Sequence, residues 1–223
     1  MNIYKEIETR TNGEIYIGVV GPVRTGKSTF IKRFMELMVL PAITDEHNRK
    51  RALDELPQSA AGKTVMTTEP KFIPKEAVEV LFEDGVHFKC RMIDCVGYMV
   101  QGAEGHEEDG RERLVKTPWF DYDIPFTKAA EIGTKKVIYD HSTVGIVVTC
   151  DDTVSELDRS AYIQPETQTI QELKSIGKPF IVILNTRKPS SPETIALADE
   201  LQQAYGVAVL PVNCDQLRKA DVV

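Results

Sequence analysis

Gly21-Pro-Val-Arg-Thr-Gly-Lys-Ser28 matches the phosphate-binding pattern G-x-x-x-x-G-K-[ST], and the rest of the predicted fold is arranged around it. An apolar, β-branched run at 15–20 leads into this loop, which predicts a short strand. Residues 29–38 leave it with apolar side chains at helical spacing. Because the motif requires a strand before it and a helix after it, the pattern predicts a nucleotide-binding P-loop.

Each part of this loop has a predicted role toward a polyphosphate. Gly21 and Gly26 allow the tight turn that directs backbone N–H groups inward, and the helix adds the positive end of its dipole. Lys27 is predicted to reach the β- and γ-phosphates, and the Ser28 hydroxyl to bind Mg²⁺. The other residues expected to line the site are Pro22, Val23, Arg24, Thr25 and Thr29.

Composition narrows the class of protein. The chain has 223 residues, which suits one large domain, and a formal net charge of −7 with a pI near 5.2. Since no run of Lys and Arg offers a track for phosphates, we expect no nucleic-acid partner. The four cysteines form no CxxC pair, which indicates reduced, intracellular thiols. No apolar run approaches the roughly 20 residues that span a bilayer, so we expect no transmembrane segment.

Hydrophobic periodicity predicts an α/β fold. From residue 144 onward strands alternate with helices, which indicates a mostly parallel sheet with helices on both faces. A predicted strand pair at 76–82 and 86–94, turned at 83–85, adds one antiparallel edge. Residues 95–125 are predicted to be loop. Helices are expected at 2–10, 44–56 with Thr44 as the N-cap, 127–140, 165–176 and 192–205, and strands at 143–149, 180–184 and 207–212. A helix that begins near 215 suggests a fragment of a longer protein.

A second part of the site is predicted at 90–97, where an apolar strand ends in Asp94 and continues as D-x-x-G. We expect Asp94 to hold Mg²⁺, through a water, and the N–H of Gly97 to contact the γ-phosphate. Such a glycine moves when the phosphate leaves, which makes the segment a switch. Thr67 and Thr68 lie between the P-loop and D-x-x-G. They are candidates for the switch threonine that closes over Mg²⁺ and orients the attacking water.

The sequence differs from Ras-like GTPases at two places in the predicted site, and both differences bear on the reaction and the nucleotide. Tyr98 stands directly after D-x-x-G, where those GTPases have a water-orienting Gln, so hydrolysis needs another water-positioning group. The base-reading motif N-K-x-D is reduced to Asn185, with Lys188 in place of its Asp. A lysine cannot accept the hydrogen bonds that guanine donates. The site therefore favours ATP, with Asn185 as the remaining nucleotide contact.

Arg24 is the fourth residue of the P-loop. Potassium-activated relatives of the GTPase class place an Asn there, which holds a K⁺ ion against the phosphates. A guanidinium is charged at any physiological pH. The hypothesis is that Arg24 supplies that positive charge itself and is catalytic. The alternative is that it points outward, toward a surface carboxylate or a neighbouring subunit.

Six runs, spread over nearly the whole chain, together form a specific pattern: 18–32, 54–59, 67–72, 94–98, 117–119 and 129–134. In these runs the sequence resembles the stage IV sporulation protein A family, the ATPases of the spore coat basement layer. The resemblance implies a relative of translation-factor-type GTPases that uses ATP, with Lys27 in Walker A, Asp94 in Walker B and Thr67/Thr68 as sensor threonines.

The same resemblance implies a biological setting. Members hydrolyse ATP to drive irreversible self-assembly on the forespore surface, in the mother-cell cytoplasm. Expected partners are further copies of the chain, other spore coat proteins and a small membrane-associated anchor. The family has further middle and C-terminal domains, so residues 1–223 are expected to be its ATPase domain alone. Three alternatives stay open: a regulatory GTPase switch, a small-molecule P-loop kinase, and a structural module that binds nucleotide without hydrolysis.

Overall fold

The computed structural model describes residues 14–43, 45–57, 68–81, 87–108 and 110–222. Its ten strands are β1 (Glu14–Val20), β2 (Lys71–Leu81), β3 (His87–Asp94), β4 (Glu107–Glu108), β5 (Arg111–Glu112), β6 (Leu114–Thr117), β7 (Phe120–Pro125), β8 (Val144–Cys150), β9 (Phe180–Asn185) and β10 (Val209–Val212). Six of these form the central sheet, in the order β10-β9-β8-β1-β3-β2. The first five strands in this order run parallel, and β2 is antiparallel to β3. The predicted parallel sheet with one antiparallel edge is confirmed.

Five helices accompany the sheet in the described part of the chain. They are α1 (Lys27–Phe34), α2 (Glu46–Asp54), α3 (Phe126–Lys136), α4 (Ser160–Ser175) and α5 (Pro192–Tyr205). A π-helical turn at Met35–Val39 and a 3₁₀ turn at Leu40–Ala42 prolong α1, and a π-helical turn at Val137–His141 prolongs α3. A short 3₁₀ turn lies at Lys219–Asp221.

Apolar side chains of β1 point alternately into two cores, one on each face of the sheet. Val19 packs with Phe30 and Ile31 of α1, whereas Val20 packs with Ile170 and with residues of α5. Successive residues of a strand face opposite sides, so these clusters confirm that helices cover both faces. A third, smaller cluster lies beside the P-loop, at the carboxyl end of β8. Its buried members are Val23, Val100, Ala103, Cys150 and Tyr162.

Residues 95–125 were expected to be loop, and this is wrong in part. β4 pairs with β5 and β6 with β7, giving two small antiparallel sheets. The prediction failed because most side chains of these strands are exposed, so no alternation of apolar and polar residues marks them. The backbone N–H of Phe126, the first residue of α3, bonds to the Arg113 carbonyl, which ties the second hairpin to that helix.

Three helix ends also differ from expectation. α4 starts at Ser160, so Pro165 lies inside it, where it is buried and tertiary packing outweighs its helix-breaking tendency. The side chain of Asp45 caps α2 by accepting from the N–H of Asn48. The helix expected from 215 is only the 3₁₀ turn, in which the Asp221 carboxylate accepts from the Arg218 N–H and closes a single turn. The expectations for residues 2–10, Thr44 and 83–85 lie outside the described residues.

Candidate nucleotide-binding site

The P-loop joins β1 to α1, as the motif predicts. Gly21 has φ +131° and Gly26 has φ +95°, values that L side chains rarely adopt. An added Cβ would lie 2.4 Å from the Val148 carbonyl oxygen at Gly21 and 2.4 Å from the Asn185 amide nitrogen at Gly26. Both glycines are therefore required by conformation and by space. Gly26 caps α1 with no side-chain hydrogen bond and no acidic residue in the first turn, which leaves the first N–H groups available to an anion.

Lys27 is 4% exposed and reaches back across its own loop. Its Nζ donates hydrogen bonds to the carbonyl oxygens of Gly21 and Pro22. Burial lowers the pKa of Lys27, while the nearby Cys95 and Asp94 act in the opposite direction. Within the described part of the chain no carboxylate forms an ion pair with Lys27. The site thus holds a cation whose charge no direct partner neutralises, which suits a phosphate.

Ser28 and Asp94, the two expected Mg²⁺ ligands, lie side by side. The Ser28 hydroxyl donates to Oδ2 of Asp94 over 2.7 Å. The other oxygen, Oδ1, is buried and accepts no hydrogen bond from the described residues. Burial raises the pKa of Asp94, opposed by the Ser28 hydrogen bond and the charge of Lys27. A hydroxyl and a carboxylate with an unpaired oxygen are the ligands that Mg²⁺ prefers, so these residues fit the ion.

The D-x-x-G segment lies against the P-loop. The N–H of Tyr98 bonds to the Gly21 carbonyl over 3.2 Å, and the N–H of Val23 bonds to the Tyr98 carbonyl over 2.9 Å. Gly97 has φ +99°, and a Cβ there would lie 2.2 Å from the Gly21 oxygen and 2.6 Å from Nζ of Lys27. Only glycine fits this place. Its own N–H donates to the hydroxyl of Thr134 on α3 over 3.2 Å.

The side chain of Tyr98 does not replace the missing glutamine in this arrangement. It is 4% exposed, and its hydroxyl donates to the Glu172 carboxylate on α4. Burial, together with Glu172, raises the pKa of the phenol. Tyr98 therefore anchors the segment after D-x-x-G to α4, and it presents no free group to an attacking water.

Asn185 contacts the P-loop through its side-chain amide. Its Nδ2 donates to the Thr25 carbonyl over 2.9 Å, and its Oδ1 accepts from the N–H of Cys214 over 3.0 Å. The Thr25 hydroxyl donates in turn to the Pro22 carbonyl over 3.1 Å. Asn185 thus links the ends of β9 and β10 to the phosphate loop. The residue that follows it, Thr186, is fully buried.

Two expected site residues make no described hydrogen bond to this centre, and a third is not among the described residues. Thr67 lies outside the described residues. Thr68 is buried, and its carbonyl oxygen lies against Gly133 of α3; no described hydrogen bond joins its hydroxyl to Ser28 or Asp94. Arg24 is exposed, with φ +64° and no hydrogen bond or ion pair among the described residues. Thr29 lies partly buried in the first turn of α1.

Two residues that bond to the D-x-x-G segment and to Tyr98 were not among the sequence candidates. Thr134 receives the Gly97 N–H, and Glu172 receives the Tyr98 hydroxyl. Each is distant in sequence from its partner, and no motif marks either of them. For Thr134 the one available signal was its place in the run 129–134 that carries the family resemblance.

The comparisons with known proteins show the family to which this chain belongs. Residues 1–223 match the family described as stage IV sporulation protein A, ATPase domain. The chain is 57% identical over 221 residues to stage IV sporulation protein A of Clostridioides difficile (strain 630), covering 99% of this chain and 45% of that protein. The protein of the same name from Bacillus subtilis (strain 168) is 53% identical over 223 residues, again with 45% of its length covered. The chain thus spans a little under half the length of these relatives.

A solved structure shows a similar fold. A crystal structure of a mutation variant of SsGBP has a TM-score of 0.50 at 14% identity, covering 99% of this chain and 57% of that one. None of the helices in the described ranges has the length and hydropathy needed to cross a membrane. On the family match and the identity to these relatives, the chain belongs to the stage IV sporulation protein A family and corresponds to its ATPase domain.

Proposed function

We propose that this chain is a Mg²⁺-dependent ATPase of the translation-factor-related P-loop class. The strand order supports this class, because the P-loop strand β1 lies beside β3, which ends in Asp94, and β3 carries the antiparallel edge strand β2. Family membership in an ATPase domain supports the activity. The single observation that carries the proposal is the Ser28–Asp94 contact of 2.7 Å directly below the P-loop.

Different residues of the site are assigned to the phosphates, to Mg²⁺ and to the shape of the loop. The N–H groups at the start of α1 and the ammonium of Lys27 bind the phosphates. Ser28 and Asp94 would hold Mg²⁺, which would supply positive charge to stabilise the charge on the phosphates. Asn185 keeps the loop in the required shape through the Thr25 carbonyl.

Hydrolysis joins a water oxygen to the γ-phosphorus and breaks the bond from that phosphorus to the β–γ bridging oxygen. The electron pair of that bond leaves with ADP, and the water gives up a proton as inorganic phosphate forms. Lys27 stabilises the charge that develops on the leaving oxygen. Thr67 or Thr68 orients the water, and Arg24 supplies additional positive charge. Since Tyr98 is held by Glu172, the water is positioned without it.

The biological part of the proposal follows from the family. ATP turnover drives self-assembly into the spore coat basement layer, at the forespore surface in the mother-cell cytoplasm. Other spore coat proteins and a small membrane-associated anchor are the proposed partners. A regulatory GTPase switch is the alternative, and nucleotide preference separates the two because Lys188 replaces the carboxylate that reads guanine.

Titration calorimetry with MgATP and MgGTP tests the binding step. We expect the chain to bind MgATP more tightly than MgGTP, and Asp94→Asn to lose the contribution of Mg²⁺ to ATP affinity. Asp140→Asn is the matched control, because this exposed aspartate lies before β8, at the opposite end of the sheet. Equal affinity for both nucleotides, or an Asp94→Asn chain whose ATP affinity still responds to Mg²⁺, would contradict the proposal.

A further inference from the structure

Gly97 is the residue of D-x-x-G that lies against the phosphate loop. A Cβ built on it would lie 2.6 Å from Nζ of Lys27, the group assigned to the β- and γ-phosphates. Its N–H, however, donates to the hydroxyl of Thr134, a fully buried residue of α3. The N–H that a γ-phosphate would use therefore already has a partner within the protein.

The Thr134 hydroxyl is committed to accepting this bond. Its own hydrogen is donated to the Ala130 carbonyl one turn earlier, over 2.8 Å, so toward Gly97 it offers only lone pairs. The neighbouring residue, Gly133, has the Thr68 carbonyl oxygen 2.6 Å from the position of an added Cβ. One turn of α3 thus contacts both D-x-x-G and the segment of the expected switch threonine.

We infer that Thr134 is a positioning residue that lowers the affinity of the site for nucleoside triphosphates relative to diphosphates. This inference rests on the proposed nucleotide site. A triphosphate gains a bond from the Gly97 N–H to its γ-phosphate only after the bond to Thr134 breaks. A diphosphate has no γ-phosphate and leaves that bond intact. Gly97 is free to make the change, because glycine reaches conformations on both sides of its present φ of +99°.

The size of the effect follows from the free energy of one hydrogen bond. Without the Thr134 acceptor, the chain no longer favours the arrangement in which the Gly97 N–H is unavailable. The apparent affinity for a triphosphate then rises with the fraction of chains in which this N–H is available. A typical net hydrogen bond corresponds to about a three- to tenfold change. Thr134→Val should therefore tighten a non-hydrolysable ATP analogue with an imido bridge by about three- to tenfold, with ADP affinity unchanged. Thr134→Ser retains the acceptor and should behave as the parent.

Thr169 provides the matched control. It is also a fully buried helical threonine, and its hydroxyl donates to the Pro165 carbonyl one turn earlier over 2.7 Å, but it accepts nothing from D-x-x-G. Thr169→Val should therefore remove the same kind of hydrogen bond within a helix. It should leave the ratio of the affinities for the ATP analogue and for ADP unchanged. Circular dichroism checks that each variant folds. If Thr134→Val does not fold, Thr134→Ala lacks the same acceptor and carries the same expectation.

Titration calorimetry of the chain with Mg²⁺ and each nucleotide gives the result. Selective tightening of the ATP analogue in Thr134→Val, absent from Thr134→Ser and Thr169→Val, supports the inference. Equal shifts for both nucleotides, no shift, or the same selectivity change in Thr169→Val overturns it. If the parent binds neither nucleotide, the proposed function fails as well. The two failures are distinguishable, because the parent titration alone reports on the second.

Discussion

The Ser28 hydroxyl and Oδ2 of Asp94 lie 2.7 Å apart, although the two residues are 66 positions apart in the chain. This contact joins the first turn of α1 to the end of β3. It uses one carboxylate oxygen and leaves the other, Oδ1, buried and unpaired among the described residues. An unpaired buried oxygen destabilises the folded chain, and a bound cation would offset this effect.

Asp94→Asn is expected to stabilise the nucleotide-free chain at neutral pH. Burial raises the folded-state pKa of Asp94 above its ordinary value of 3.8. Asp94 therefore contributes most to the free energy of unfolding at a pH below its pKa in the unfolded chain. This contribution is lost as the pH rises through its pKa in the folded chain. The amide still accepts from Ser28 and does not ionise. Urea unfolding between about pH 4 and pH 7 should show the variant's advantage growing with pH; a constant difference would contradict this.

Lys27→Met should abolish tight nucleotide binding without loss of stability. Truncating a buried charged partner typically costs about 2 kcal/mol or more, so ATP affinity should fall by at least about 30-fold. Burial lowers the pKa of Lys27, which means that its charge is disfavoured in the unliganded fold. Calorimetry measures the affinity and thermal unfolding the stability. Near-parental ATP affinity in the folded variant would refute the assignment of Lys27.

Thr67→Ala and Thr68→Ala should spare binding and impair turnover. A group that acts on the water mainly in the transition state lowers kcat more than affinity. We expect the double variant to lose at least about tenfold in kcat with ATP affinity within about threefold of the parent. Thr143→Ala, at the opposite end of the sheet, is the control. Parental phosphate release in both single variants and the double variant would show that neither threonine is the sensor.

Arg24 is predicted to lower the stability of the fold and to increase the rate of ATP turnover. Its φ of +64° is a left-handed conformation that glycine adopts more readily. Arg24→Gly should therefore raise the free energy of unfolding by up to about 1 kcal/mol, or roughly 2–4 °C in melting temperature. Removal of the guanidinium should slow ATP turnover by at least about tenfold. Thermal unfolding and phosphate release on the same preparation measure both effects.

The monovalent cation separates the two hypotheses for Arg24. If its charge replaces a bound K⁺ ion, the parent should be indifferent to exchange of Na⁺ for K⁺. Arg24→Asn should then be slower than the parent and stimulated by K⁺. An Arg24→Ala chain with parental turnover in Na⁺ buffer would leave the exposed side chain without a catalytic role.

Local signals in the sequence predicted the elements around the site. Helix 192–205 was expected with the bounds that α5 has, and in the structure Ser191 caps it and Gly206 ends it with φ +61°. The strand, loop and helix around Lys27 follow from the motif in the same way. These features depend on residues within one turn of each other, which a sequence displays directly.

The remainder of the site depends on contacts between distant segments. Asn185 was expected to touch the nucleotide, and the structure adds that it holds the Thr25 carbonyl, 160 residues away. The partner of Gly97 on α3 and that of Tyr98 on α4 depend on how two helices pack against the sheet. Single-sequence patterns carry no information on that packing, so these contacts were not predicted.

Phosphate release from ATP and GTP, with Mg²⁺ and with excess chelator, tests the central claim most directly. The proposed site predicts release from ATP that requires Mg²⁺, is lost in Lys27→Met and is at least about tenfold slower with GTP. Release from GTP at a rate equal to or above that from ATP, or release that survives in Lys27→Met, would contradict the account.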